Sequence, residues 1–177
     1  MNFNTEIHPG VAQERDPVTQ GFTLNHSMLR VKDPAVSLDF YTRIMGMRVL
    51  RKFDFPEMKF SLYFLHRSDD CDAPQDVGER TAWTFAQQGM LELTHNWGTE
   101  SDPNFKYHDG NAQPQGFGHI CFAVPDLDKA VAWFDQNNVT YVKRPDQGRM
   151  KDVAFIKDPD GYWIEIVEPG KLKSLGR

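Results

Sequence analysis

The stretch Asp158–Glu168, which reads DPDGYWIEIVE, predicts a tight turn that leads directly into a β-strand. Proline fixes φ in the DPDG segment and glycine supplies a positive φ, which is turn chemistry. Apolar and polar residues alternate from Trp163 onward, so Glu165 should share a strand face with Trp163 and Val167. A carboxylate there must be solvated, paired or bound to a metal, because burying it alone is very costly. Judged alone, the strand fits a water-facing Glu equally well.

The composition predicts a globular protein whose partners are small molecules. The chain has 177 residues, 40% of them hydrophobic, and a formal net charge of -5, so no basic surface is expected for nucleic acid or anionic membranes. No apolar run is long enough to cross a bilayer, and the N-terminus lacks the features of a signal peptide. We therefore expect a cytoplasmic protein.

The two cysteines predict neither a disulfide framework nor a catalytic thiol. Cys71 stands in a polar loop and Cys121 in an apolar strand, and no Cys-x-x-Cys motif is present. We expect Cys121 to be a small core residue.

The order of predicted elements repeats along the chain. Residues 1–21 lack periodicity and predict an arm, residues 67–80 a charged surface insertion, and residues 97–115 a long loop. Strands are predicted at 25–31, 47–55, 59–66, 81–86, 90–96, 116–124, 139–143, 152–157 and 162–168, and helices at 33–46 and 126–137.

Superposing the two halves aligns His26 with His119, and each half then ends in a strand with a Glu between aliphatic residues, Glu92 or Glu165. Such self-similarity indicates a duplicated β-α-β-β-β unit. We therefore predict an α+β fold in which two modules, at about 22–97 and 116–169, form a single domain over 22–169, followed by a tail at 170–177. Their half-open sheets would enclose a cleft.

The repeat-related positions supply two imidazoles and two carboxylates, from His26, Glu92, His119 and Glu165. Any one of them alone is more often structural, but four at equivalent positions predict a metal site. A mixed nitrogen and oxygen set suits a borderline divalent ion such as Zn²⁺ or Ni²⁺. The other histidines of the two halves, His66, His95 and His108, are expected at the surface or as supports of the site.

Several motifs resemble those of the glyoxalase I, or lactoylglutathione lyase, family. They are HSMLRV at 26–31, LDFY at 38–41, LELTHNWG at 91–98, GFGHI at 116–120 and DPDGYWIEI at 158–166. The resemblance covers about residue 22 to the end of the chain. It implies the vicinal oxygen chelate fold, with paired βαβββ modules of mixed, curved sheets, and a homodimer with metal sites at the subunit interface.

Carried over by position, the resemblance implies that His26 and Glu92 of one module and His119 and Glu165 of the other are the metal ligands. The familiar eukaryotic enzyme has Gln at the position of His26, whereas bacterial members often have His. The arm and the loops at 67–80 and 97–115 resemble the long form of the family, so Zn²⁺ is favoured and Ni²⁺ is the alternative.

The resemblance also implies a reaction, with glutathione as cosubstrate. The hemithioacetal of methylglyoxal and glutathione would be isomerised to S-lactoylglutathione. Glu165 would remove a carbon-bound proton, the metal would stabilise the resulting ene-diolate, and Glu92 would assist the opposite stereoisomer.

The implied substrate contacts form two groups. Glutathione would meet Arg30, Asn96, Lys143, Gly148, Arg149 and Trp163. The methyl group would lie among Phe55, Phe60, Leu62, Phe64 and Met150, for which an ordinary core is an equally good interpretation. The family has an arginine that binds glutathione at the position of Gln115, so this chain lacks that positive charge. Arg30 or Lys106 would have to bind glutathione in its place.

Two other functions remain open at this stage. The same fold hosts ring-cleaving dioxygenases, which bind Fe²⁺ with two His and one carboxylate, but Glu92 as a fourth ligand opposes redox chemistry. It also hosts proteins that sequester a ligand without metal or turnover, and these lack the four-ligand set.

Overall fold

The computed structural model describes residues 3–67 and 72–175. The predicted loop around Cys71, and the extreme ends of the predicted arm and tail, lie outside the described residues. Short 3-10 segments occur at Pro17–Thr19, Thr99–Ser101 and Pro169–Ser174. Within the described ranges, no helix combines the length and the hydropathy that a membrane span requires.

The first module is a four-stranded mixed sheet with helices between its strands. It consists of β1 (His26–Val31), α1 (Pro34–Asp39), β2 (Arg48–Phe55), β3 (Phe60–His66), α2 (Val77–Phe85) and β4 (Met90–Asn96). α1 continues as a π-helical turn at Phe40–Ile44. The strand order is β1-β4-β3-β2, with β1 parallel to β4 and the other neighbours antiparallel.

The second module repeats this topology. It consists of β5 (His119–Ala123), α3 (Leu127–Gln136), β6 (Tyr141–Lys143), β7 (Val153–Lys157) and β8 (Trp163–Val167), in the order β5-β8-β7-β6. Here too the first and last strands are parallel and the others are antiparallel. The predicted α+β fold with two duplicated modules is confirmed.

The strand predicted at 81–86 is wrong, because these residues belong to α2 and to its end. The carboxylate of Asp76 caps the helix by accepting the N–H of Glu79 at 2.9 Å. The hydroxyls of Thr81 and Thr84 bond to carbonyls four residues earlier, as helical residues do. Asp76 and Glu79 have the spacing of a helix-capping pair, and this signal was available in the sequence.

One face of each sheet supplies the core of the protein. Leu29, Val31 and Leu93 of the first sheet and Ile164 and Ile166 of the second are almost completely buried in one cluster. Because side chains alternate along a strand, the residues between these positions lie on the opposite faces, away from the core.

Polar contacts join the two modules around the DPDG turn. The buried carboxylate of Asp158 accepts a hydrogen bond from the hydroxyl of Tyr41 at 2.8 Å, and Asp160 accepts the backbone N–H of Lys32 at 3.0 Å. At the other end of the helices, the indole of Trp133 donates to the carbonyl of Ile44 at 3.0 Å. The turn that introduces β8 therefore also holds the first module in place.

Asp158 is a titratable group among these contacts between the two modules. Its carboxylate also accepts the backbone N–H groups of Asp160 and Tyr162, at 3.0 and 2.9 Å. Burial raises the pKa of Asp158 to about 7, although these hydrogen bonds oppose the shift. Between about pH 4 and 7, the folded protein keeps a proton that the unfolded chain releases.

We expect Asp158→Asn to flatten the pH dependence of stability. The folded-state pKa lies above the ordinary value of about 4, so the free energy of unfolding should fall as pH rises between about 4 and 7, by up to about 1.4 kcal/mol per pH unit from this group. Asn keeps an acceptor for the two backbone N–H groups but does not titrate. Urea unfolding across this pH range, at one protein concentration, measures the difference.

The matched control is Asp128→Asn, because the side chain of Asp128 is 85% exposed. It should preserve the wild-type slope. Parallel pH profiles for the wild type and Asp158→Asn would contradict the expected titration of Asp158.

Candidate functional site

A histidine and a glutamate form a close pair on the outer face of the first sheet. In the parallel pairing of β1 with β4, Met28 stands opposite Glu92, and His26 precedes Met28 by two residues on the same face. The Nε2 atom of His26 lies 3.1 Å from Oε2 of Glu92. Their side chains are 31% and 13% exposed, so a ligand on this face can reach both.

The second sheet carries an equivalent pair in the same register. Cys121 stands opposite Glu165 in the parallel pairing of β5 with β8, and His119 precedes Cys121 by two residues. The Nε2 atom of His119 lies 3.3 Å from Oε2 of Glu165. The two His–Glu pairs therefore occupy equivalent positions in the two sheets.

An aromatic ring packs edge-on against each histidine. Phe64 contacts the ring of His26 with a centroid distance of 5.3 Å, and Phe155 contacts the ring of His119 at 5.2 Å. In the first module, Phe85 at the end of α2 adds a further wall, 4.9 Å from Phe64 and 6.4 Å from His26. The sequence did not reveal Phe85, because its segment was predicted to be a strand.

The two carboxylates have different neighbours. The hydroxyl of Thr94 donates to Oε1 of Glu92 at 2.9 Å, whereas Glu165 stands beside the thiol of Cys121 on the neighbouring strand. Desolvation, reinforced by the negative charge of Glu165, raises the pKa of this thiol to about 11. Glu92 thus accepts a hydrogen bond from a hydroxyl, whereas the neighbour of Glu165 is a protonated thiol, which is a weaker donor.

The prediction that Cys121 is a small core residue is wrong, because its side chain is exposed. Ile120 and Phe122 occupy the core-facing positions of β5. Strand alternation therefore places Cys121 on the face that carries His119.

The geometry of each pair suits two neighbouring ligands of one divalent ion. With metal–ligand bonds of about 2.0–2.2 Å, two adjacent donor atoms lie about 2.8–3.6 Å apart, from octahedral to tetrahedral angles, and the pairs measure 3.1 and 3.3 Å. Imidazole and carboxylate together form the mixed donor set that Zn²⁺ and Ni²⁺ accept. Within residues 3–67 and 72–175, however, no three His, Cys, Asp or Glu side chains gather in a metal-binding group. Each face supplies two donors.

A groove of about 430 Å³ lies between β1 and β5, the strands at the edges of the two sheets. His26 and His119 line it, together with Met90 and Phe117, whereas the two glutamates do not. The groove therefore does not unite the two pairs.

The sequence matches the model of the Glyoxalase/Bleomycin resistance protein/Dioxygenase superfamily over residues 23–166. The chain belongs to this superfamily. It is 55% identical over 177 residues to the lactoylglutathione lyase of Pseudomonas aeruginosa, a match that covers all of this chain and 99% of that protein. It is 51% identical over 146 residues to glyoxalase I of Saccharomyces cerevisiae, which covers 81% of this chain and 44% of the yeast protein.

A solved structure agrees with this assignment. The trypanothione-dependent glyoxalase I of Leishmania major superposes with a TM-score of 0.65 at 32% identity, over 86% of this chain and 90% of that chain. The predicted membership in the glyoxalase I family is confirmed.

In this glyoxalase-family chain, the residues predicted to contact glutathione fall into two groups. Arg30 and Asn96 belong to the first sheet, where the Asn96 amide donates to the hydroxyl of Tyr107 at 3.1 Å. The other four, Lys143, Gly148, Arg149 and Trp163, belong to the second module. Arg149 is exposed, and Gly148 has a φ of 68° in the loop between β6 and β7.

The residues predicted to surround the methyl group are also divided. Phe55 stacks on Phe60 with a centroid distance of 4.6 Å, and Leu62 and Phe64 continue the same face of β3. Met150 lies in the second module, and its side chain is exposed. Four of the five residues therefore lie on one face of the first sheet, where Phe64 is the one that contacts His26.

The remaining histidines predicted as surface or supporting residues stay outside the two pairs. His95 is buried on the core face of β4 and bonds to Glu100 at 2.7 Å. His108 is exposed and accepts the backbone N–H of Gly110 at 2.9 Å.

Proposed function

We propose that this protein is a metal-dependent lactoylglutathione lyase, which isomerises the hemithioacetal of methylglyoxal and glutathione to S-lactoylglutathione. The observation that carries this proposal is the pair of repeat-related His–Glu sites, His26–Glu92 and His119–Glu165. Its relative from Pseudomonas aeruginosa, matched over the whole chain, is named for this activity. The cytoplasmic location expected from the sequence stays a prediction.

The complete site is proposed to form between two copies of the chain. Each pair offers two donors, whereas a four-ligand site needs two pairs, and the pairs lie on faces turned away from the shared core. A twofold homodimer would bring the His26–Glu92 face of one subunit against the His119–Glu165 face of the other, and its symmetry would create two identical sites. The division of the apolar and glutathione residues between the modules supports the same assembly.

His26, Glu92, His119 and Glu165 would hold the divalent ion. We favour Zn²⁺ over Ni²⁺, because the N-terminal arm and the loops predicted at 67–80 and 97–115 resemble those of zinc-type members. When bound, the ion supplies a Lewis acid that stabilises the negative charge developing on the two vicinal oxygens of the substrate.

Glu165 is proposed as the base of the isomerisation. Its carboxylate would remove the proton from the carbon that bears sulfur and return it to the neighbouring carbon, so that the hemithioacetal becomes a thioester without gain or loss of atoms. Glu92 bonds to Thr94 and is therefore better suited to stay in place as a ligand, and it would serve the opposite stereoisomer.

Glutathione carries two carboxylates, and the proposed contacts offer a cation for each. Arg30 with Asn96 would bind the γ-glutamyl end, and Lys143 with Arg149 the glycyl end. The apolar surface that begins at Phe55 and Phe60 would receive the methyl group and exclude water from the reacting carbons.

We expect chelator-stripped protein to regain thioester formation from methylglyoxal and glutathione when Zn²⁺ is restored. Ni²⁺ added separately is the comparison. His108→Ala is the matched control for His119→Ala, because both side chains are exposed but only His119 is a proposed ligand. Recovery with Ni²⁺ alone would contradict the choice of zinc, whereas failure with both ions would overturn the enzymatic proposal in favour of a binding module.

Glu165→Gln should keep the fold and retain an oxygen donor, but it cannot accept the proton. We expect kcat to fall by about 10²–10⁴-fold, the usual contribution of a general base. Steady-state kinetics, with circular dichroism to verify folding, measures this effect. A variant that retains most of its turnover would remove Glu165 from the role of base.

Mixing two inactive double variants tests the shared site. One carries His26→Ala with Glu92→Ala, and the other carries His119→Ala with Glu165→Ala. In a mixed dimer, one interface combines the two intact pairs, so a statistical mixture should recover about a quarter of wild-type activity. If each subunit builds its own site, the mixture stays as inactive as its components.

A further inference from the structure

Asn25 links the start of β1 to the end of α2. Its backbone carbonyl accepts the N–H of Met90 at 2.9 Å. Its side-chain amide donates to the carbonyls of Phe85 and Gln87, at 2.7 and 2.9 Å. Carbonyls at the end of a helix lack partners within the helix, so they are strong sites for such a donor.

These two bonds determine how the amide of Asn25 is oriented. A carbonyl oxygen can only accept, so the NH₂ group of Asn25 must face Phe85 and Gln87. Its oxygen then faces Nδ1 of His26 at 2.7 Å. Because this oxygen is also only an acceptor, Nδ1 of His26 must carry a proton and donate it.

The proton on Nδ1 determines what Nε2 of His26 can bind. When Nδ1 of a neutral imidazole carries the proton, Nε2 presents its lone pair. That atom lies 3.1 Å from the carboxylate of Glu92. In this neutral form, the lone pair of Nε2 and the carboxylate of Glu92 can bind one cation together.

We propose that Asn25 is a positioning residue, which sets the tautomer and the ring orientation in which His26 binds a divalent ion through Nε2. This inference rests on the metal site of the proposed function and extends it to a residue outside the ligand set. A partner that holds the second nitrogen of a metal-binding imidazole typically contributes about 10–100-fold to metal affinity.

The second pair lacks an equivalent of the hydrogen bond between Asn25 and His26. Gly118 occupies the position before His119, and it has no side chain that could reach the ring. Within the described residues, no hydrogen bond to Nδ1 of His119 is formed. The first pair is therefore pre-organised by a neighbouring side chain, and substitution of Asn25 should weaken metal binding.

Metal affinity is the first measurement. We expect Asn25→Ala to weaken Zn²⁺ binding by about 10–100-fold in competition with a chromophoric chelator. Asn25→Asp keeps an oxygen for Nδ1 of His26 but loses the amide donor to Phe85 and Gln87, so it should recover most of the affinity even if the protein is less stable. Asn137→Ala is the control, because Asn137 also bonds through both ends of its amide, to Arg43 and Trp133, at the end of α3.

The second measurement reads the tautomer directly. In the Zn²⁺-loaded protein, the hydrogen-bonded Nδ1–H of His26 should give a downfield, exchange-protected proton resonance, assigned by its absence in His26→Ala. Asn25→Ala should lose this resonance to exchange with water, and Asn25→Asp should keep it. A resonance that persists in Asn25→Ala would overturn the inference.

The remaining outcomes separate this inference from the proposed function. If His26→Ala weakens Zn²⁺ binding but Asn25→Ala does not, Asn25 is not a positioning residue and the metal site stands. If Asn25→Asp loses as much affinity as Asn25→Ala, Asn25 only ties β1 to α2. If His26→Ala itself binds Zn²⁺ as the wild type does, the proposed metal site fails and this inference fails with it.

Discussion

The parallel pairing of the first and last strand in each module is the constraint on which the site depends. It places Met28 opposite Glu92 and Cys121 opposite Glu165, so that a histidine two residues earlier reaches each carboxylate. A shift of one residue would turn one member of each pair toward the core. The apolar positions on the other face, such as Ile164 and Ile166, prevent that shift because they must stay buried. Core packing therefore fixes the spacing of the donors.

The alternation of side chains made the two pairs predictable, because it follows from local sequence alone. The repeat made their equivalence predictable, since His26 and His119 begin matching strands. The distances of 3.1 and 3.3 Å were not predictable, because they depend on how the strands pair across some 65 and 45 intervening residues. Sequence patterns therefore indicated the two histidines and the two glutamates, and the register of the sheets brought each His close to its Glu.

The failures have two physical origins, a local capping signal that was missed and tertiary contacts that no local pattern shows. The segment 81–86 alternates like a strand, yet the cap at Asp76 makes it helical. This helix places the ring of Phe85 against His26, and the backbone carbonyl of Phe85 accepts a hydrogen bond from Asn25. No local pattern around Asn25 indicates these contacts, because its partners lie about 60 residues away along the chain.

The two halves of the proposed site have the same topology, but their His and Glu side chains differ in how many hydrogen-bond partners hold them. On the first sheet, Thr94 holds Glu92 and Asn25 holds His26, so both donors have a fixed partner. On the second sheet, the neighbour of Glu165 on the adjacent strand is the thiol of Cys121, and glycine precedes His119. The proposed site must both hold an ion and transfer a proton, and the difference in hydrogen bonding between the two carboxylates suits these two tasks. A carboxylate with a firm hydrogen bond is a good ligand, whereas one without such a bond can accept and release a proton more easily. The duplication of the module thus supplied two pairs in equivalent positions, and their different neighbours are consistent with the proposed division between metal binding and proton transfer.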